Sequence, residues 1–169
     1  MSMAAAQFGA LGILLLLAGY AAAVDIKSMI IPDAINLAIF GTGLTACFVL
    51  RFIEPVSALC GAILGGGLLL LVQVAFRAYR GSDGLGLGDV KFVAATASWT
   101  GAEGLPVALL AACAAALAYV IARRSFDTEF DSGRRIPFGP FLAFGAVAVA
   151  TAQIWMGMSW VDFLERALP

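Results

Sequence analysis

Six apolar stretches follow one another along this chain, and they leave room for little besides a bundle of membrane-crossing helices. A bilayer core takes about 20 mostly apolar residues per helix, within a range of roughly 17 to 25. On that rule spans fall near residues 7 to 24, 34 to 53, 56 to 76, 89 to 101, 104 to 122 and 138 to 158. The fourth is short. It holds only if it begins at or before Asp89 and is shielded by its neighbours, because backbone at membrane depth must find its hydrogen bonds inside the protein. Hydrophobic residues make up 62% of the 169 and charged residues 12%, against roughly 45 to 50% and 25% in soluble domains. The fold class expected is therefore all-α: a six-transmembrane-helix bundle, one integral membrane domain over residues 1–169 with no separate soluble domain. A net charge of −1 and the lack of any basic run give nucleic acid nothing to hold. The expected surroundings are a lipid bilayer.

The first span ends in Ala21-Ala22-Ala23, small residues of the kind found at a cleavage site. Residues 1 to 7 contain no Lys or Arg, whereas a signal peptide opens on a basic region, so the span is read as retained. Orientation follows from the basic residues. Lys27, Arg77, Arg80, Lys91, Arg123, Arg124, Arg134 and Arg135 fall in odd-numbered connections, and only Arg51 and Arg166 fall on the other side. The positive-inside rule then puts the odd-numbered loops in the cytoplasm and both termini outside. Gly61 and Gly65, continued by Gly66 and Gly67, have the spacing that lets helices approach closely, and Ala108, Ala111, Ala112, Ala115 and Ala118 offer the same in the fifth span. Trp99, Trp155 and Trp160 lie near span ends, where interfacial anchors belong.

Two acidic residues stand out against this background. Asp89, in Gly86-Leu87-Gly88-Asp89-Val90-Lys91, sits at the mouth of an apolar segment, and Asp25, in Val24-Asp25-Ile26-Lys27, repeats the Asp-x-Lys arrangement at the end of the first span. Ionisable residues at the membrane are costly enough to be read first as functional. The loop count places both on the cytoplasmic side. Two carboxylates about 3 Å apart share one proton, so that one acts as base and the other as acid. Such a pair can activate water and polarise a carbonyl, which is peptide hydrolysis without metal or covalent intermediate. The chain has no histidine, so a Ser-His-Asp or Cys-His site cannot be built from it. Cys47, Cys60 and Cys113 are dispersed in apolar segments and read as small buried side chains, with no metal or other cofactor implied.

The competing view of each aspartate is an ion pair near a helix end. Residues i and i+2 of a helix point to different faces, so Lys27 and Lys91 are badly placed to neutralise their own neighbours, and Lys91 is left to snorkel outward or cross over to Asp25. On the residues alone, a dyad and a structural pairing both remain open. Gly84, Gly86 and Gly88 leave bare backbone against which a substrate strand can lie. A nucleotide reading of the Gly-x-Gly pattern lacks its βαβ context.

Together with Asp25-Ile26-Lys27 and Ile31-Pro32-Asp33, the stretch from Gly86 to Lys91 resembles the type IV prepilin leader peptidase family, a bacterial branch of the GxGD intramembrane aspartyl proteases. Arg135-Ile136-Pro137-Phe138-Gly139-Pro140-Phe141 is similar to a third block of that family, and the resemblance runs from about residue 8 to 158. It implies Asp25 and Asp89 as the catalytic pair; Gly86, Gly88, Lys27, Lys91, Pro137, Phe138, Gly139 and Pro140 are the candidate substrate-binding residues beside them. It also implies a prepilin, pseudopilin or Flp-type pilin precursor whose short basic leader is cut at the cytoplasmic face of the bacterial inner membrane. Larger members also methylate the new N-terminus and carry a cytoplasmic region with paired CxxC motifs. Neither motif is present, so a peptidase-only form is the closer likeness.

Three further expectations concern the surroundings of the pair. Asp127, Glu129 and Asp131 alternate in the fifth loop and would attract a basic leader. Pro32 opens the second helix with Asp33 favourable to its dipole, and Pro137 and Pro140 set the entry of the last span. A proton-coupled small membrane transporter is the rival reading, and a non-catalytic assembly scaffold a third; a transporter would place its ionisable groups nearer the midplane.

Overall fold

The structure, a computed structural model, describes residues 3–81, 84–126 and 136–157. Its helices are α1 (Met3–Ser28), α2 (Asp33–Leu50), α3 (Pro55–Arg80), α4 (Leu87–Phe126) and α5 (Gly139–Met156). All five are long and apolar enough to cross a membrane. The chain is thus an all-α, multi-pass membrane protein, and no strand occurs among the described residues.

The count differs from the sequence expectation of six. The segments 89–101 and 104–122 run as one 40-residue helix, α4, interrupted at Gly101, whose backbone is non-helical (φ 70, ψ 176). At about 1.5 Å per residue, a straight α4 would be about 60 Å long, twice a bilayer core. It is not straight. A carbon at the missing Cβ of Gly65 would lie 3.1 Å from the side chains of both Val93 and Leu105. Twelve residues of straight helix would hold these about 18 Å apart. The two arms, 87–100 and 102–126, therefore fold back on each other. A single residue replaces the loop that separate spans would need, because glycine alone adopts this φ without strain. The Ser57 hydroxyl of α3 accepts the Ala102 N–H at 3.1 Å and caps the second arm.

The helices close on one another where side chains are small. Gly61 lies against the Gly101–Ala102 backbone and Gly65 against Val93 and Leu105, as the small-residue spacing anticipated. Gly145 of α5 packs on the Ala108 carbonyl. Of the alanine stripe, Ala108 and Ala112 are buried, whereas Ala118 faces outward. The interior holds Leu14, Ala18, Ile39, Phe92, Ala112 and Ala150. Trp99 corrects an expectation: it is 1% exposed, donates its indole N–H to the Ile39 carbonyl at 2.9 Å, and meets Phe52 edge-on. It is a core residue because the fourth segment is the central one, flanked by α2, α3 and α5. Trp155 is exposed near the end of α5, and Trp160 lies outside the described residues. Cys47 is buried, with its thiol directed at the Ser98 carbonyl. Cys60 and Cys113 are exposed on the bundle surface, contrary to the buried reading, because a membrane helix also turns apolar residues outward to lipid.

Candidate active site

Both aspartates sit in terminal helical turns at the same end of the bundle. Asp25 occupies the last turns of α1, which continue to a left-handed Met29 (φ 52) whose N–H returns to the Asp25 carbonyl at 2.8 Å. Asp89 stands in the first turn of α4, where its N–H and that of Val90 both reach the Gly86 carbonyl. Asp25 is 5% exposed and Asp89 is partly buried. Although 64 residues apart, they line the same two cavities and are close enough for their charges to act on one another.

The first cavity, of about 320 Å³, is bounded by Asp25, Met29, Ile30, Ile31, Asp33 and the segment from Gly86 to Asp89, with Lys91. The second, of about 470 Å³, has Asp25, Met29, Gly84, Leu85, Gly86, Asp89, Ile136, Pro137 and Phe138 as its walls. The shared members are Asp25, Met29, Gly86 and Asp89, so the two cavities adjoin at the carboxylates. Gly88 abuts the backbone of Ile31 and brings the start of α4 against the start of α2.

The start of α5 completes this end. Gly139 donates its N–H to Asp25 Oδ2 at 2.9 Å, from a buried position. A Cβ at residue 139 would stand 2.7 Å from that oxygen, so only glycine permits this approach. Phe138 precedes the helix and Pro140 stands in its opening turn, where the missing N–H costs nothing. Tyr119 of the second arm of α4 meets the Phe141 ring at 5.6 Å. The described basic residues Lys27, Arg77, Arg80, Lys91, Arg123 and Arg124 all belong to helix ends on this side, and Arg51 to the opposite end.

The substrate-binding residues expected from sequence separate into groups. Gly86, Gly88, Lys91, Pro137 and Phe138 line one or the other cavity. Gly139 touches Asp25 itself. Pro140 lines neither cavity and shapes the helix entry, and Lys27 is exposed and lines neither. Lys91 does not cross to Asp25. Its ammonium donates to both Asp33 oxygens at 2.8 Å, because the first turns of α2 and α4 lie side by side. Asp33 follows Pro32, which has extended backbone (φ −64, ψ 136), at the opening of α2. Its pairing escaped sequence reasoning, which credited it only with a helix-dipole role; no local signal marks a contact across 58 residues. Asp127, Glu129 and Asp131 lie outside the described residues.

Comparison with known proteins follows the same residues. Residues 12–121 match the model of the type IV leader peptidase family. Among curated relatives, a prepilin leader peptidase/N-methyltransferase of Burkholderia pseudomallei (strain 1026b) is 36% identical over 127 residues, which is 75% of this chain and 40% of that protein. One from Pectobacterium carotovorum subsp. carotovorum is 34% identical over 73% of this chain and 44% of its own length. One from Pseudomonas aeruginosa is 34% identical over 85% and 46%. The chain thus spans less than half the length of these relatives. No solved structure matches it. With two acids at one end of a membrane bundle and a family match that covers both of them, the chain belongs to the type IV leader peptidase family.

Proposed function

We propose that this protein is a membrane aspartyl endopeptidase that removes the short basic leader from type IV prepilin, pseudopilin or Flp-type pilin precursors at the cytoplasmic face of the inner membrane. The observation that carries this reading is that Asp25 and Asp89 line both of two adjoining openings. An extended chain passing from one opening to the other brings a peptide bond over both carboxylates.

Each residue then has a definite task. The ionised aspartate takes a proton from water as the water oxygen adds to the peptide carbonyl carbon. The protonated aspartate donates to the carbonyl oxygen and stabilises the charge that develops there. Collapse of the tetrahedral species breaks the C–N bond and returns a proton to the leaving nitrogen. The Gly139 N–H donates to Asp25 Oδ2 at 2.9 Å and holds that carboxyl in one orientation. No metal is called for. The exposed backbone at Gly86 is where substrate backbone would pair, with Gly88, packed on Ile31, holding that segment in place. The basic helix ends on the same side support a cytoplasmic site with both termini outside.

The test is direct. Wild type, Asp25→Asn and Asp89→Asn, each reconstituted in liposomes, are given a prepilin-type peptide, and cleavage is followed by mass spectrometry. Each single variant should lose cleavage by at least about 1,000-fold, since members of a catalytic unit do not act additively. Cleavage near the wild-type rate in either variant refutes the dyad. Proton-coupled transport has less support, because both acids lie in terminal turns and not near mid-span.

A further inference from the structure

The two openings beside the aspartates differ in character. Apart from the acids they share, the larger one is walled by Met29, Leu85, Ile136, Pro137 and Phe138, with glycine backbone between them. The smaller has apolar walls too, Met29, Ile30, Ile31 and Leu87, and adds Asp33 and Lys91, a complete ion pair. A cleft whose described walls carry an ion pair in one arm and, apart from the shared aspartates, no charge in the other distinguishes the two ends of a chain laid across it.

We infer that this cleft is polarised: a cationic side chain of the leader binds Asp33 by displacing Lys91, while the apolar segment beyond the scissile bond occupies the Phe138 side. The inference rests on the peptidase reading and adds the direction of the substrate and the group that reads its charge. Asp33 already holds an ammonium through both carboxylate oxygens at 2.8 Å. Lys91 therefore occupies the position that a leader lysine or arginine would take. The exchange is cheap, because Asp33 is 72% exposed and Lys91 52% exposed, and ion pairs in that setting contribute little net stability. Guanidinium has a further advantage, since its planar fork fits a carboxylate with two parallel bonds. With Asp25 and Asp89 nearby, the smaller opening carries three carboxylates against one ammonium. Once Lys91 has swung out, the site favours a cation over water.

The opposite arm explains why orientation would be unambiguous. Beyond the two aspartates that both openings share, the described walls of the larger one carry no charge, so a basic residue placed against Pro137 and Phe138 would lose hydration with no carboxylate of its own to meet there.

The experiment compares two peptides that differ only in leader charge, one with Lys or Arg and one with Glu at the same positions, cleaved by the full chain in liposomes. Wild type should favour the basic leader. Asp33→Asn should raise KM for the basic leader about fivefold, at the upper end of what an exposed pair supplies, with kcat unchanged. Lys91→Met should lower that KM, because the internal competitor is gone. Asp33→Lys should invert the preference. Phe138→Ala should raise KM for both peptides alike. The ratio of kcat/KM for the two leaders is internal to each preparation, so reduced folding of a variant cancels. A ratio unchanged in both Asp33 variants overturns this inference while cleavage by wild type upholds the peptidase reading. Absence of cleavage by wild type of either peptide overturns both.

Discussion

Gly139→Ala tests the candidate site through a single methyl group. The new carbon would lie 2.7 Å from Asp25 Oδ2, 3.0 Å from Cγ and 3.1 Å from Cβ, where unstrained non-bonded atoms stand about 3.5 to 4.0 Å apart. Asp25 is buried, and its side chain has few ways to retreat. Two reliefs exist. The carboxylate can turn away from the Gly139 N–H, which gives up a hydrogen bond to a charged group worth about 1.5 to 3 kcal/mol. Alternatively the start of α5 can lift, at the roughly 1 to 3 kcal/mol that overpacking costs. Either displaces Asp25 relative to Asp89 by a fraction of an ångström to about 1 Å, and a misplacement of that size costs about 100-fold in rate.

The expected result is therefore a fall in kcat of about 100-fold with KM within about twofold of wild type, since both openings keep their walls. Cleavage of a prepilin-type peptide in liposomes reads this directly. Gly145→Ala is the control: it overpacks α5 against the Ala108 carbonyl, away from the aspartates, and should lower the melting temperature with kcat per folded molecule preserved. If Gly139→Ala keeps kcat within twofold of wild type, the Gly139 N–H does not position Asp25. If Gly145→Ala loses as much kcat as Gly139→Ala, the effect belongs to α5 packing in general.

Two further outcomes concern the scaffold. Ser57→Ala removes the cap on Ala102 N–H and should destabilise the detergent-solubilised protein by about 1 kcal/mol in a denaturant titration; an unchanged midpoint would mean that the turn at Gly101 holds without it. Asn36 is 6% exposed, and neither end of its amide meets a partner within the protein. Asn36→Leu should accordingly raise stability, by about 1 kcal/mol or more, since an unsatisfied buried polar group costs roughly 1 to 3 kcal/mol. A drop in melting temperature would show that the amide is satisfied in the membrane by a buried water.

Much of this protein is legible in its amino-acid sequence. Long apolar runs must become helices in lipid, where every backbone group needs an internal partner. That constraint acts on each segment separately, and for this reason composition and run length suffice for the fold class. The spacing of Gly61 and Gly65 marks a real close approach for the same reason, since small residues one turn apart share a face whatever lies opposite. The charge asymmetry of the connections likewise puts Asp25 and Asp89 at one end. Where sequence reasoning fails, the deciding contact is remote. Whether 89–101 and 104–122 are separate spans depends on the backbone at Gly101 and on what α3 offers it. Trp99 near a span end reads as an anchor until α2 supplies the Ile39 carbonyl.

The site divides along the same line. Its two carboxylates are identifiable from their cost in an apolar chain and from the motifs around them, properties that belong to the sequence itself. Only the tertiary structure could give Asp25 the Gly139 N–H across 114 residues, or Lys91 to Asp33 across 58. Hydrogen bonds and ion pairs act over about 3 Å, and the positions they join are set by how α1, α2, α4 and α5 pack. An aspartate's presence is written in one residue, whereas its partner is fixed by the whole bundle.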